Sequence, residues 1–266
     1  MGISGSANDY ILRLTHPIKN TATQEIKFTV AFDWLNSKST SKRYGSLSDY
    51  SLRVVRTNLN GIFDDKRGRT VTNLGVDIGI DGLGASKSVK GVAESSFYKF
   101  TAMVARIQRL PKDCLGIARL NAQYSPQSLY PVEQMFLGGA YSLRGYQPSE
   151  LIGDYGIAGS IEFRTPIPGI KALFPKKYED NWARKVKFIT FYDWGYVNSH
   201  KNNFNAPTNF LHSVGFGTNI NITDAIAFQI GIGIPITKKL NENSGRLFFA
   251  INTELDKLLL KPKVRL

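Results

Sequence analysis

Arginines and carboxylates are the residue types here that could form strong, directional side-chain pairs, among them Arg144 in the longest polar stretch of the chain and Glu162 and Asp193 downstream, which the motifs around them single out. A guanidinium presents five donors in a rigid fork, and a carboxylate presents two acceptors that match it bidentately. Other reactive types are sparse. Cys114 is the single cysteine, which excludes an internal disulfide framework and any cysteine-based zinc site. His16, His200 and His212 are too scattered to suggest a metal centre by spacing. There is no nucleophile elbow, glycine-rich phosphate loop or metal-ligand cluster. The residues therefore predict no enzyme, no metal, no cofactor and no small-molecule substrate.

The elements that must position Arg144, Glu162 and Asp193 read as strands. Residues alternate in period two through most of the chain, and helical periodicity is hard to find. In Ala225 to Ile236, the residues Ile226, Phe228, Ile230, Ile232, Ile234 and Ile236 share one face, with Gln229, Gly231 and Gly233 on the other. Ile26, Phe28, Val30, Phe32 and Trp34 likewise oppose Lys27, Thr29, Ala31 and Asp33. About eleven strands follow, near 9–18, 24–37, 48–60, 69–81, 96–110, 114–125, 154–166, 185–198, 209–223, 225–236 and 246–255. Most run to about ten residues or more, as tilted strands crossing a bilayer must, whereas strands of soluble proteins average about five or six.

The predicted class is an all-β transmembrane antiparallel β-barrel, with the apolar face toward lipid and the face of small and charged residues toward the lumen. A mean hydropathy of −0.19 fits this alternation. Short turns are expected at 19–23, Pro111 to Asp113 and Thr223–Asp224, and longer polar connections near 38–47, 82–95, 126–153, 199–208 and 237–245. The stretch 167–184 is longer than its place in this scheme requires, and its role is open.

The net charge of +13, from 34 basic against 21 acidic residues, is compatible with anionic partners or with a basic lumen and basic loops. The basic residues are spread along the chain, so no nucleic acid is expected as a partner. The opening Met1-Gly-Ile-Ser-Gly-Ser is not a secretory signal. An odd strand count leaves a barrel open at an edge. Residues 1–266 are accordingly expected to be a partial barrel domain, with its N-terminal part missing.

The stretch 126–153, PQSLYPVEQMFLGGAYSLRGYQPSELIG, is long for a connection without function. Its centre, Leu137-Gly138-Gly139 followed by Ser142-Leu143-Arg144-Gly145-Tyr146, resembles the loop of the superfamily of outer-membrane insertases and two-partner secretion transporters. Gly159-Ser160-Ile161-Glu162-Phe163-Arg164 resembles that family's Gly…Glu strand. Phe191-Tyr192-Asp193-Trp194-Gly195-Tyr196-Val197 resembles its Phe-x-Asp-x-Gly-x-Val strand. Residues 10–34, with Thr15-His16-Pro17-Ile18, look like the haemolysin-activator type of transporter over nearly the whole chain.

The resemblance implies a barrel of about sixteen strands whose loop folds back inside between the eleventh and twelfth. Five strands follow the loop here, as that pattern requires. It implies a loop tip of Gly138, Gly139, Leu143, Arg144, Gly145 and Tyr146, with Asp193, Glu162, Phe191 and Gly195 as its lumen partners. Alternation places Glu162 and Asp193 on the lumen side, within the chemistry of a bidentate arginine pair. The family's upstream polypeptide-transport-associated domains do not occur in these residues. Its strand ending on an aromatic residue is replaced by Leu255 and a basic tail to Leu266.

The function implied is an outer-membrane pore that translocates a secreted partner polypeptide, with bilayer lipid as the other partner. Assembly of other outer-membrane proteins is the alternative, using the seam between first and last strands for β-augmentation. A hydrolase fused to such a barrel and a passive porin remain further possibilities.

Overall fold

A computed structural model of the chain describes residues 2–169, 185–200, 209–223, 225–237 and 245–253. Eleven strands form a single antiparallel sheet: β1 (Ile3–Asn20), β2 (Gln24–Ser41), β3 (Gly45–Asp65), β4 (Gly68–Gly79), β5 (Phe97–Arg109), β6 (Leu115–Tyr124), β9 (Tyr155–Pro166), β10 (Val186–Asn198), β11 (Phe210–Asn221), β12 (Ile226–Pro235) and β13 (Arg246–Thr253). Two short strands, β7 (Met135–Leu137) and β8 (Leu151–Gly153), pair as a separate ribbon inside the β6–β9 connection. Every strand of the sheet pairs with its neighbours in chain order, β6 passing directly to β9. β1 and β13 are the two edges, so among the described residues the sheet is open.

Period-two alternation gives the sheet two chemically opposite faces. Leu12, Leu14, Phe163, Phe216, Ile232, Ile234, Leu247, Phe249 and Ile251 are exposed on the outer face. An apolar band this continuous would be unfavourable in water at about 25 cal/mol per Å² and belongs against acyl chains. The inner face buries polar groups instead, among them Asp33, Asp77, Lys99, Glu162 and Asp193. Pairing with one another and with residues of the 126–153 loop offsets most of the cost of desolvating those groups.

All eleven expected strands occur. The first three are longer than expected, at 18, 18 and 21 residues. At about 3.3 Å per residue they reach roughly 60–70 Å, about twice the hydrocarbon thickness, and therefore run out past the bilayer.

One expectation is corrected here. The stretch 38–47 is not a long polar connection but the end of a hairpin, with β2 running to Ser41 and β3 resuming at Gly45 after a turn at 42–44. Gly45 takes φ +75°, which a residue with a side chain adopts at a cost. The polar composition of this segment misled because a strand outside the bilayer needs no apolar face. Its ladder is satisfied by backbone pairing, by a Ser4–Thr40 hydroxyl bond of 3.0 Å and by a Lys38–Asp49 pair at 3.3 Å.

Several expectations lie outside the described residues: all but 167–169 of the 167–184 insertion, Asp224 of the Thr223–Asp224 turn, residues 201–208 and 238–244 of two long connections, and the tail from Glu254 onward.

Candidate functional site

The β6–β9 connection holds its shape through bonds at its root. Asp154, buried where the connection ends, accepts from the backbone N–H of Leu129 (2.9 Å) and from Gln134 Nε2 (2.8 Å). It also accepts from the backbone N–H of His200 at 2.9 Å, which ties the root to the end of β10. The β7–β8 ribbon then carries the chain out to Gly138 and Gly139, at φ +108° and +90°. This left-handed backbone is strained for any residue with a Cβ and turns the chain sharply toward the sheet. The tip closes through Gly139 N–H to Tyr146 O (3.1 Å) and Tyr146 N–H to Leu143 O (3.2 Å).

Leu143 is fully buried in a cluster with Leu137, Leu151, Val197 and Leu211, which seats the tip on β10 and β11. Gly195 makes room for it: a Cβ there would stand 2.9 Å from the side chain of Leu137 and 3.2 Å from that of Leu143. Gly145 allows an equally close approach, since its Cβ would meet Ser213 Cβ at 2.7 Å and Pro235 N at 2.9 Å.

Seated in this way, Arg144 is buried and uses its whole fork. Nε donates to Asp193 Oδ2 and Nη2 to Asp193 Oδ1, both at 2.8 Å, while the backbone N–H of Arg144 also reaches Oδ2 at 3.1 Å. Nη1 donates to Glu162 Oε2, and Nη2 also reaches Ser160 Oγ at 3.2 Å. Ser160 in turn donates to Asp193 Oδ1 at 2.7 Å. The guanidinium lies over the ring of Phe191, 3.5 Å from its centroid, and Phe191 meets Phe248 edge-on at 5.6 Å. Arg164 balances the second carboxylate, with Nε 2.7 Å from Glu162 Oε1.

Two arginines thus face two carboxylates, and the buried group is neutral. Burial alone would lower the basicity of Arg144. Bonds and charges from Asp193 and Glu162 outweigh it and hold the guanidinium more firmly protonated than usual. Tyr146 secures the other side of the tip: its hydroxyl lies 2.8 Å from His212 O and 3.0 Å from Thr237 O, and accepts from Thr237 N–H at 3.2 Å.

Of the expected loop residues, Arg144 meets Glu162, Phe191 and Asp193, and Leu143 packs at Gly195; Gly145 and Tyr146 rest instead on Ser213, Pro235, His212 and Thr237, and Gly138 and Gly139 shape the turn without touching these partners. Arg164 and Ser160 belong to the Arg144 group and were not singled out in the sequence, although alternation puts both on the face of Glu162.

A second charged group also went unnoticed. Glu133, at the end of a 3-10 turn over Pro131–Glu133 in the stem of the loop, is buried and accepts bidentately from Arg56, Nη2 to Oε1 at 2.6 Å and Nη1 to Oε2 at 3.0 Å. Lys99 donates to the same carboxylate and lies 3.0 Å from Asp77, which also accepts from Arg56 at 2.7 Å. Arg56 Nε completes the set by donating to Asp33. Strand register makes Arg56, Asp77 and Lys99 direct cross-strand neighbours on β3, β4 and β5.

Beneath the tip, a cavity of about 510 Å³ is lined by Arg119, Asn121, Tyr141, Ser142, Arg164 and Gln229 among others. Among the described residues no group of His, Cys, Asp and Glu could hold a metal ion, and the carboxylates on the inner face are engaged by arginine and lysine.

Comparison with known proteins matches this architecture. The family of haemolysin secretion/activation proteins ShlB/FhaC/HecB matches residues 1–220. The heme/hemopexin transporter protein HuxB of Haemophilus influenzae is 24% identical over 162 residues, 59% of this chain and 26% of that protein. The chain thus spans about a quarter of that transporter's length. CdiB from Escherichia coli superposes with a TM-score of 0.76 at 17% identity, over 94% of this chain and 46% of that one. BamA from Haemophilus ducreyi lacking POTRA domains 1-3 gives 0.66 at 11% identity, over 93% and 55%. At these identities the structural likeness speaks to fold, and the expected membrane-barrel class is borne out by it.

Proposed function

We propose, because the chain belongs to the haemolysin secretion/activation protein family, that it forms part of the wall of an outer-membrane pore through which a secreted partner polypeptide passes. The apolar outer face meets bilayer lipid, and the inner face with its folded-back loop meets the client. Neither a nucleic acid nor a small molecule is assigned as a substrate, since the basic residues are spread along the chain and Glu133, Glu162 and Asp193 are paired with cations. No ATP is available outside the inner membrane, so folding of the client beyond the pore supplies the drive.

The observation that carries this reading is the loop tip clamped to the inner face through Arg144, Asp193 and Glu162. A loop held there braces or gates a lumen. Arg144 has its donors occupied by the protein itself, so its role is to hold the loop in place and not to touch the client. Barrel assembly, the alternative, gains only the likeness in fold to BamA.

The test is Arg144→Ala in the native protein in its own cells, with the polypeptides released into the medium compared between wild type and variant. Secretion into the medium is expected to fall while the barrel still shows a heat-dependent shift on gels. Undiminished secretion would overturn the assignment.

A further inference from the structure

The β6–β9 loop stands on the inner face at two points, and these lie on opposite halves of the sheet. The tip rests on β9, β10, β11 and β12 through Arg144, Gly145 and Tyr146. The stem rests on β2, β3, β4 and β5 through Glu133, with Arg56 and Lys99 as its partners and Asp33 and Asp77 beside them. Gln123 of β6, which lies between the halves, adds a bond of 3.0 Å to Glu133 O. Between the two points lie Gly138 and Gly139, both at positive φ.

We infer that Glu133 is a second positioning residue of the loop: it anchors the stem to β2–β5, so the loop is a strut across the inner face with the stem as fixed foot and the tip as releasable foot. The two feet differ in a way that sets these roles. The tip group is neutral, and the loop contributes only Arg144 to it, from one short turn. The stem is held additionally by the Asp154 bonds and by Gln123, so freeing Glu133 loosens it but leaves it over the inner face as long as the tip stays seated. In the stem group two cations face three carboxylates, and the oxygen left over is Asp33 Oδ1, buried without a partner. The excess negative charge keeps Arg56 and Lys99 committed to this group. The glycine pair supplies the backbone freedom for the tip to swing about a stationary stem. Releasing the tip therefore leaves the loop tethered over the inner face, and clearing the lumen requires both feet to be cut.

The inference rests on the pore reading for its purpose, but its test needs no client. The native full-length protein, purified from outer membranes, is placed in planar lipid bilayers as wild type, Glu133→Gln, Arg144→Ala and the double variant. Each single variant is expected to raise mean conductance by less than about twofold and the double variant by at least about fivefold, because coupled sites are non-additive. A double variant no different from Arg144→Ala would overturn the inference.

Hydrogen exchange supplies an independent reading. Glu133→Gln is expected to speed exchange in 128–137 by about tenfold or more while 140–147 stays protected, since local opening tracks local bonding. Unchanged exchange in 128–137 would also overturn the inference. If Glu133→Gln does not assemble, Lys99→Gln, which cuts one of the two partners of Glu133, is read in the same way. Intact secretion defects in Arg144→Ala beside a silent Glu133 would leave the pore reading standing and remove only the strut.

Discussion

Replacing Asp193 by Asn separates charge from shape at the loop tip. The carboxylate accepts four bonds: Oδ2 takes the Arg144 N–H and Nε, and Oδ1 takes Nη2 and the Ser160 hydroxyl. An asparagine keeps one acceptor and turns an NH₂ toward donors, so one bond from Arg144 is lost if the NH₂ faces Nη2 and Ser160, whose hydroxyl can turn to accept, and two are lost if it faces the backbone N–H and Nε. The group also shifts from two cations and two carboxylates to a net positive charge in a buried place. Truncating one partner of a buried ion pair costs about 3–5 kcal/mol, because the charge left behind has no compensation. At about 1.4 kcal/mol per factor of ten, the released tip becomes more populated by roughly two to nearly four orders of magnitude. The strands keep their ladders and outer-face burial, so the barrel itself should assemble. Hydrogen exchange of the native protein in lipid reads this directly, with the segment 140–147 exchanging at least about a hundredfold faster. The strands should remain protected. An acceleration below about threefold would refute the reasoning, since the pair would then contribute no more than a surface ion pair does.

Two further outcomes follow from the same geometry. In Gly145→Ala the new methyl meets Ser213 Cβ at 2.7 Å, Pro235 N at 2.9 Å and Ile234 C at 3.1 Å, and backbone atoms of a paired strand cannot yield. The tip should lift, at an overpacking cost of about 1–3 kcal/mol, and protease cleavage at Tyr146 should rise several-fold; unchanged cleavage counts against the close approach. For Glu133, burial pushes the carboxyl upward, but the bond from Arg56 and the charges of Lys99 and Arg56 outweigh it and hold it below the ordinary glutamate range. Its folded value lies below its unfolded one, so its contribution is complete at neutral pH and is lost as pH falls below the unfolded value and through the depressed one. Exchange in 128–137, corrected for its intrinsic pH dependence, should be flat from about pH 8 to pH 5 and rise only in stronger acid. A transition between pH 5 and 7 would contradict this assignment.

The stem group shows where alternation alone stops being informative. Asp33, Arg56, Asp77 and Lys99 each stand at a lumen-side position of a different strand, and in the sequence each looks like an isolated charge facing water. Strand register turns them into a row: Arg56 opposite Asp77, and Asp77 opposite Lys99. Register is set by pairing across 20 or so residues of chain. Glu133 joins that row from a connection with no alternation at all, so nothing local marks its direction.

Period-two alternation determined the strands and put Glu162 and Asp193 on the face opposite the apolar one, because side-chain direction in a strand depends only on parity along the chain, while strand length and the pattern of short and long connections assigned the apolar face to lipid. Composition also determined the absence of a disulfide framework, with Cys114 the single cysteine. The extent of β2 and β3 was not readable, since ladder bonds are made by backbone and leave no trace in the polar side chains of 38–47. Only the tertiary structure decided which groups meet: that Arg144 spends its fork on both Asp193 and Glu162, that Arg164 balances the charge, and that Glu133 reaches across to Arg56. Those pairings depend on where a 28-residue connection comes to rest, and that is settled by burial of Leu143 and by the room left at Gly145 and Gly195, which are properties of surfaces brought together from distant parts of the chain.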